Sequence, residues 1–389
     1  MEFREYHLKE IIYLYDKNRK PLSSLIRNKM KKIYPYYGAN GIIDYVDNYI
    51  FEGKYILLAE DGTVLNKNLY PVIHKVDGKF WVSNHAHIFK AKENIVLQDY
   101  LYYNLKNKDI SSLITGAVQL KLNQDNMNNI ILKIPDIDIQ KKVSTILSDI
   151  DLKIEVNNKI TDNLLEIRNL IYRRWFIDFE FPNKISKGQI TDDLPEGWKY
   201  GKINDIAKEL KQRIKDDYEN AVVMSPVKTG ELVKSDDFFN KQVYSKEINN
   251  YKKINYLDFA YNPARVNIGS IGILKNRLIG AVSPVYVTFR AKEKYHWYLS
   301  MLIKDKDVQN KIIQYSSGSV RQALKYIDFS NIECIVPDEN TIEKFNEFYE
   351  EIENKIIHNL KQNEILTSTR DTLLPKLMNG EVDLENIKI

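Results

Sequence analysis

Apolar residues in the middle of this chain recur at intervals of three and four from Ile139 to Trp175. Val143, Ile150, Asn157, Leu164 and Ile171 share one seam position, and Ile139, Ile146, Lys153, Ile160 and Ile167 share the other. This alternation is a coiled-coil stripe and predicts one uninterrupted helix that ends near Phe181-Pro182. A helix of about 40 residues is on the order of 60 Å long, more than an ordinary core helix needs. A seam of that length requires a partner.

The partner is in the same chain. Ile150 to Arg168 align on Ile352 to Arg370 at a constant offset of 202. Seven pairs are identical: Ile150/Ile352, Lys153/Lys355, Ile154/Ile356, Asn157/Asn359, Lys159/Lys361, Leu164/Leu366 and Arg168/Arg370. A repeat of this size describes a chain built twice. A coiled coil between two copies of the chain is the competing arrangement. The matched internal partners favour antiparallel pairing within one chain. Asn157 lies midway along its helix, so Asn157 and Asn359 are expected to flank a pseudo-twofold axis and to fix the helix register.

Outside the helices the pattern shortens to β-like segments. In the first half these are Tyr55–Ala59, Phe80–Ser83 and His87–Phe89, punctuated by glycines, then a short helix over Leu97–Leu105. A strand at Asn129–Pro135 leads into the long helix, and Pro135 marks the boundary. Residues 183–197 read as a polar linker. The second half offers strands at Ala221–Val223, Leu257–Tyr261, Ile271–Leu274 and Val285–Phe289, a helix at Val308–Gln314, and a strand at Ile332–Pro337. The repeat continues here. Phe3 and Ile11 match Trp198 and Ile206 at an offset of 195, Val82, Ser83, Phe89, Ala91 and Lys92 match at 200, and Gly116, Val118, Leu122 and Asn129 match at 202. Residues 36–72 find little counterpart in 231–270. The predicted architecture is α+β: two mixed α/β domains separated by two long antiparallel helices. The boundaries are 1–136, 137–181, 182–336 and 337–389.

Composition narrows the class. The chain has 389 residues, 43% hydrophobic and 28% charged, as expected of a globular protein of two or three domains. One cysteine, Cys334, excludes an internal disulfide and suits a reducing compartment. No apolar run long enough for a membrane span and no signal core are visible, so a cytoplasmic protein is expected. A net charge of +4 permits nucleic-acid binding without requiring it. The 26 tyrosines suit either β cores or recognition surfaces.

The chain resembles the specificity (S) subunits of type I restriction–modification systems. The resemblance is carried by Pro35-Tyr-Tyr-Gly-Ala-Asn-Gly-Ile-Ile-Asp44, Ala59-Glu-Asp-Gly62 and Phe80-Trp-Val-Ser-Asn-His-Ala-His87. It continues in Ile150-Asp-Leu-Lys-Ile-Glu-Val-Asn157, Leu194-Pro-Glu-Gly-Trp198, Tyr261-Asn-Pro-Ala-Arg-Val-Asn-Ile-Gly269 and Leu374-Pro-Lys-Leu-Met-Asn-Gly380. It spans nearly the whole chain. It implies two target recognition domains, each reading half of a split DNA sequence, held apart by the two helices. It also implies partners: two methyltransferase subunits, which flip and methylate adenine at N6, and restriction/translocase subunits. S-adenosylmethionine, ATP and magnesium would then belong to those partners and not to this chain.

Candidate DNA contacts follow. Tyr36, Tyr37, Gly38, Ala39 and Asn40 read as an aromatic-glycine-amide loop in which glycine admits close backbone approach. An ordinary turn over two packed tyrosines fits equally. Asn84, His85 and His87 end a strand, and the alternation puts both histidines on one face. No further ligand set is apparent beside them, so a metal is not expected. Thr115–Lys121 and Ser316–Arg321 are matched loops in which Gln119 aligns with Arg321, and in which Gln119, Lys121, Ser317 and Arg321 suit phosphate contact. A loop that only caps the next strand is the plain alternative. Tyr261, Asn262 and Arg265 form another candidate set, Arg265 being suited to guanine or to a structural ion pair. Ser283, the match of Ser83, completes the candidates.

Absences point the same way. There is no GxxxxGK[ST] loop, no HExxH and no Asn/Asp-Pro-Pro-aromatic motif of an amino-methyltransferase, so the chain is expected to be non-catalytic. Two other readings stay open at this point. One is a DNA-binding subunit whose partner fuses methyltransferase and nuclease. The other is a coiled-coil interaction protein that binds no DNA.

Overall fold

The computed structural model describes residues 2–67, 69–116, 118–180, 194–239, 244, 247–316 and 323–384. The chain divides into two units: Met1–Lys159 with Asn359–Ile389, and Ile160–His358. The division falls inside both long helices, not at their ends as the sequence boundaries had it.

In the first unit, one four-stranded sheet orders Ile12–Leu14, Ala86–Ala91, Tyr55–Ala59 and Ile73–Val76. A second orders Gly41–Val46, Tyr34–Gly38, Lys79–Val82 and Phe51–Glu52, with a parallel pairing between Tyr34–Gly38 and Lys79–Val82. Tyr55–Ala59 is buried along its whole length, as a continuous apolar strand must be. Its residues Ile56 and Leu58 meet the short helix Gln98–Lys106 and the base of the long helix in one core.

In the second unit Lys199–Lys202 pairs antiparallel with Glu333–Val336, and the other described strands form one eight-stranded sheet. Its order is Ala207–Leu210, Val287–Ala291, Asp258–Tyr261, Ile271–Ile273, Glu231–Lys234, Val222–Val227, Gly280–Val282 and Lys252–Ile254. This is the strand order of the first unit's two sheets laid end to end. The join is a parallel pairing of Glu231 with Ile273. Gly272 permits it, because a Cβ there would lie 2.5–2.7 Å from the Glu231 backbone. In the first unit the same register position is His74: Leu57 faces His74 as Ala260 faces Gly272. A side chain thus stands where backbone meets backbone in the second unit. The segments without sequence correspondence therefore share a topology.

The two long helices are Ile137–Phe176 and Glu339–Met378. They run antiparallel within each unit. In the first, Arg370 pairs with Asp151 at 2.7 Å, and the Asn157 amide donates to Gln362 and Asn363 at 2.8 and 2.9 Å. In the second, Arg168 pairs with Glu353 at 3.2 Å. Asp151 and Arg168 match Glu353 and Arg370 at the offset of 202, so each ion pair repeats the other with its halves exchanged.

The seam differs from the expected one in its second row. Val143 and Asn157 are buried as expected, but Ile160 and Ile167 are exposed and Ile146 is half-buried. The buried row is Leu147, Ile154, Thr161, Arg168 and Trp175, one position further on, with Ile154 and Thr161 half-buried. Hydrophobicity alone pointed to the isoleucines. The ion pairs select a row that places an arginine inward. Asn157 is 1% exposed, and its side-chain partners are Gln362 and Asn363.

Arg168 and Glu353 belong to a larger buried cluster. Lys275 reaches Glu353 at 2.6 Å and Glu231 at 2.8 Å, and the Arg168 guanidinium lies 5.1 Å from the Tyr349 ring centre. Lys304 adds a third cation. Burial, then the charges of Arg168 and Lys275, push it down to about 8. A lysine depressed in the folded state penalises folding at neutral pH, and the penalty fades between about pH 8 and its ordinary 10.5. Lys304→Met is therefore expected to stabilise the second unit at neutral pH by about 1–2 kcal/mol, with the gain over wild type shrinking as pH rises. Urea unfolding of both proteins across that range checks it. A gain that does not change with pH would contradict it.

Candidate nucleic-acid interface

Strand Lys79–Val82 ends at a short turn before strand Ala86–Ala91. The turn exposes Asn84 and His85. The His85 Nδ1 lies 2.8 Å from Asp61 Oδ1. His87 sits inside the strand at 1% exposure, so the two histidines do not share a face as the alternation suggested. The turn interrupts the strand's two-residue period between them.

His87 Nε2 donates to the Leu122 carbonyl at 2.8 Å, and Nδ1 meets the Asp16 carboxylate at 2.6 Å. Glu60 adjoins the same place. Asp16, Glu60 and His87 each bring one potential ligand atom within 4.8 Å of the others. This is a set the sequence reading did not find. Arg19 occupies it: the guanidinium donates to Glu60 at 2.7 Å and to the Ala86 carbonyl at 2.8 Å, and lies 3.4 Å from Asp16. Lys121 stands 3.4 Å from the other Glu60 oxygen. Two carboxylates are thereby matched by two cations from different segments.

The loop before Lys121 is closed at its neck. Thr115 and Lys121 exchange backbone hydrogen bonds of 2.9 and 2.8 Å, and the Leu122 amide donates to the Glu60 carbonyl at 2.8 Å. Val118, Gln119 and Lys121 are exposed. The fold thus brings Asn84, His85, Gln119 and Lys121 onto neighbouring loops, with Arg19, Glu60 and Asp61 fastening them.

The expected loop at 36–40 is mostly strand. Tyr34–Gly38 pairs with Gly41–Val46, and only Ala39 and Asn40 form the tip. Tyr36 is 1% exposed and its hydroxyl accepts from the Leu22 amide, so it is a framework residue and not a surface contact. Gly38 is buried as well. Tyr37 is half-buried edge-on to Phe80, while Asn40 is exposed.

The second unit builds the same place from different residues. Leu324 donates to the Pro263 carbonyl at 3.0 Å, as Leu122 does to Glu60. Tyr261 is buried and its hydroxyl donates to the Leu324 carbonyl at 3.2 Å, which removes it from the surface set. The Asn262 side chain accepts from the Ala264 amide and caps its own loop. Arg265 is exposed and makes no ion pair among the described residues. Ser283 is half-buried at a turn closed by the Tyr286 amide, which delays the following strand to Val287–Ala291. Ser317 and Arg321 lie outside the described residues.

One legible signal was missed. Between Lys17 and Ile43 there are seven cations and no carboxylate: Lys17, Arg19, Lys20, Arg27, Lys29, Lys31 and Lys32. Lys17, Lys20, Lys29 and Lys31 are exposed without an ion pair among the described residues. Arg27 and Lys32 both bind Asp44, at 2.9 and 2.7 Å. The Lys32 hydrogen bond, then those of the Tyr45 amide and Arg27, hold that carboxyl down at about 2. No described helix is long and apolar enough to cross a membrane.

Residues 1–166 match the family of the type I restriction modification DNA specificity domain. The specificity subunit of the type I restriction enzyme MjaIX of Methanocaldococcus jannaschii is 27% identical over 313 residues, covering 75% of this chain and 71% of that protein. A putative type I restriction enzyme specificity subunit of Haemophilus influenzae is 36% identical over 140 residues, 36% of this chain and 35% of the other. The crystal structure of a type I restriction–modification S subunit from M. genitalium shares the fold at a TM-score of 0.64 and 12% identity, covering 97% of this chain and 96% of that one.

Proposed function

We propose, for a chain that belongs to the type I restriction–modification specificity-subunit family, that each unit reads one half of a bipartite DNA target and that the chain directs partner enzymes to it. The observation that carries this reading is the repeated strand order with different side chains on the same loops. At the turn that exposes Asn84 and His85 in one unit the other has Pro284 and Val285, Lys121 is matched by Ala323, and Arg265 stands on the loop whose counterpart carries Glu60 and Asp61. Phosphates would be held by exposed cations and base edges by Asn84, His85, Gln119 and Arg265. Asn157 would pin the helix register in its unit through Gln362 and Asn363.

Adenine N6 methylation and any cleavage would belong to methyltransferase and restriction subunits, which would bring S-adenosylmethionine, ATP and magnesium. The sequence contains no GxxxxGK[ST] loop and no Asn/Asp-Pro-Pro-aromatic motif. Methylome sequencing of a host with and without the chain tests the reading. A split motif with methyladenine in both halves is expected only when the chain is present. Identical methylomes, together with no sequence-dependent gel shift by the chain and its methyltransferase, would overturn it.

A further inference from the structure

Leu25 is 75% exposed and Ile26 51% exposed, on the single helical turn Ser24–Arg27. Two adjacent large aliphatic side chains in water are costly unless something covers them. Their surroundings indicate what does. The turn lies within the acid-free stretch, flanked by Lys17 and Lys20 on one side and Lys29 and Lys31 on the other. The nearby carboxylate, Asp44, is already taken by Arg27 and Lys32. An apolar point flanked along the chain by cations that make no ion pair among the described residues is complementary to one kind of surface: stacked bases between rows of phosphates.

The turn is also held firmly from beneath. Arg27 lies 4.8 Å over the Tyr36 ring, the Leu22 amide donates to the Tyr36 hydroxyl at 2.9 Å, and Lys32 donates to the Arg27 carbonyl at 2.9 Å. The Trp81 indole donates to the Lys20 carbonyl at 2.6 Å. That bond and Arg19 fasten the segment to the strand and turn that carry Asn84 and His85. An exposed apolar pair on an anchored turn loses little further freedom on insertion, as a wedge requires.

We propose that Leu25 and Ile26 form a wedge that enters the DNA at a deformable base step and bends it, while Lys20, Lys29 and Lys31 hold the flanking phosphates. The proposal rests on the DNA-reading function above and adds a mode of binding: part of the target is read through its deformability. It also makes the two halves unequal. The corresponding segment of the second unit, between Leu210 and Val222, balances Lys211, Arg213 and Lys215 with Asp216, Asp217 and Glu219, and its large aliphatic residue Ile214 is buried, so the bend belongs to the half-site read by the first unit.

The test uses the full chain with its methyltransferase, and a duplex selected from a randomised library by that complex. End-to-end energy transfer reads the bend. Leu25→Ala with Ile26→Ala is expected to straighten the duplex and to weaken binding about 10-fold, with an unchanged melting temperature because both side chains are exposed. Lys29→Ala with Lys31→Ala is expected to keep the bend at low salt and to reduce the salt slope by about 2. An unchanged bend and affinity in the aliphatic variant would overturn the wedge alone. So would loss of the methyltransferase with the bend intact, which would mark a protein surface. A wild-type complex that selects no sequence would overturn both the wedge and the function on which it rests.

Discussion

Glu353→Gln is expected to destabilise the second unit by about 3–5 kcal/mol, because it leaves buried cations without their counter-charge. Glu353 accepts from Arg168 at 3.2 Å and from Lys275 at 2.6 Å, with its side chain only 12% exposed. The wild-type cluster sets Arg168, Lys275 and Lys304 against Glu231 and Glu353. Without Glu353, three cations face one carboxylate. Arg168→Met removes a charge from the side in excess and leaves two against two, so a smaller loss of about 1–2 kcal/mol is expected, including the lost contact with Tyr349. Urea unfolding of the two variants decides the matter. If the arginine variant were the less stable, the charge balance would not be what holds this cluster.

Arg19→Ala is expected to cost the first unit about 3 kcal/mol and to weaken DNA binding with it. The guanidinium bridges Asp16, Glu60 and the carbonyls of Asn84 and Ala86, so its loss frees the turn that carries Asn84 and His85. It also leaves two carboxylates and His87 with their donor atoms within 4.8 Å and one fewer cation among them. That is a ligand set of the composition that divalent metals accept. Zinc or manganese is accordingly expected to raise the melting temperature of Arg19→Ala and to leave that of the wild type unmoved, because a bound ion replaces the missing charge. Equal responses in the two proteins would show that the guanidinium does not fill this position.

Much of the architecture is legible from pattern. The first long helix starts two residues before Ile139 and ends one residue past Trp175, five short of the end expected near Phe181-Pro182, and the second starts two residues after the expected 337, since a 3.5-residue period over forty residues leaves no other regular structure. The internal repeat gives the paired arrangement, and the buried strand Tyr55–Ala59 is recognisable as an apolar run between turns. The basic stretch from Lys17 to Lys32 was equally available as composition.

Side-chain direction was not available in the same way. Tyr36 and Tyr37 are adjacent tyrosines, yet one is a buried post and the other half-exposed, because a strand sends neighbours to opposite faces and the sequence does not say which face is covered. His85 and His87 look equivalent until a turn places one at the surface and the other in the core. The helix seam was off by one row for a related reason: isoleucine is the better seam residue by hydrophobicity, and only the reciprocal pairs Asp151–Arg370 and Arg168–Glu353 show that an arginine row faces inward.

Periodic hydrophobicity and the repeat thus determined by themselves that this chain is built twice around two long helices, because those features depend on local spacing alone. The tertiary structure decided which charges neutralise which. Asp16, Arg19, Glu60, His87 and Lys121 come from four separate segments, and no spacing rule connects them. They meet because burial of a carboxylate is tolerable only beside a cation, and that condition is satisfied in space and not along the chain.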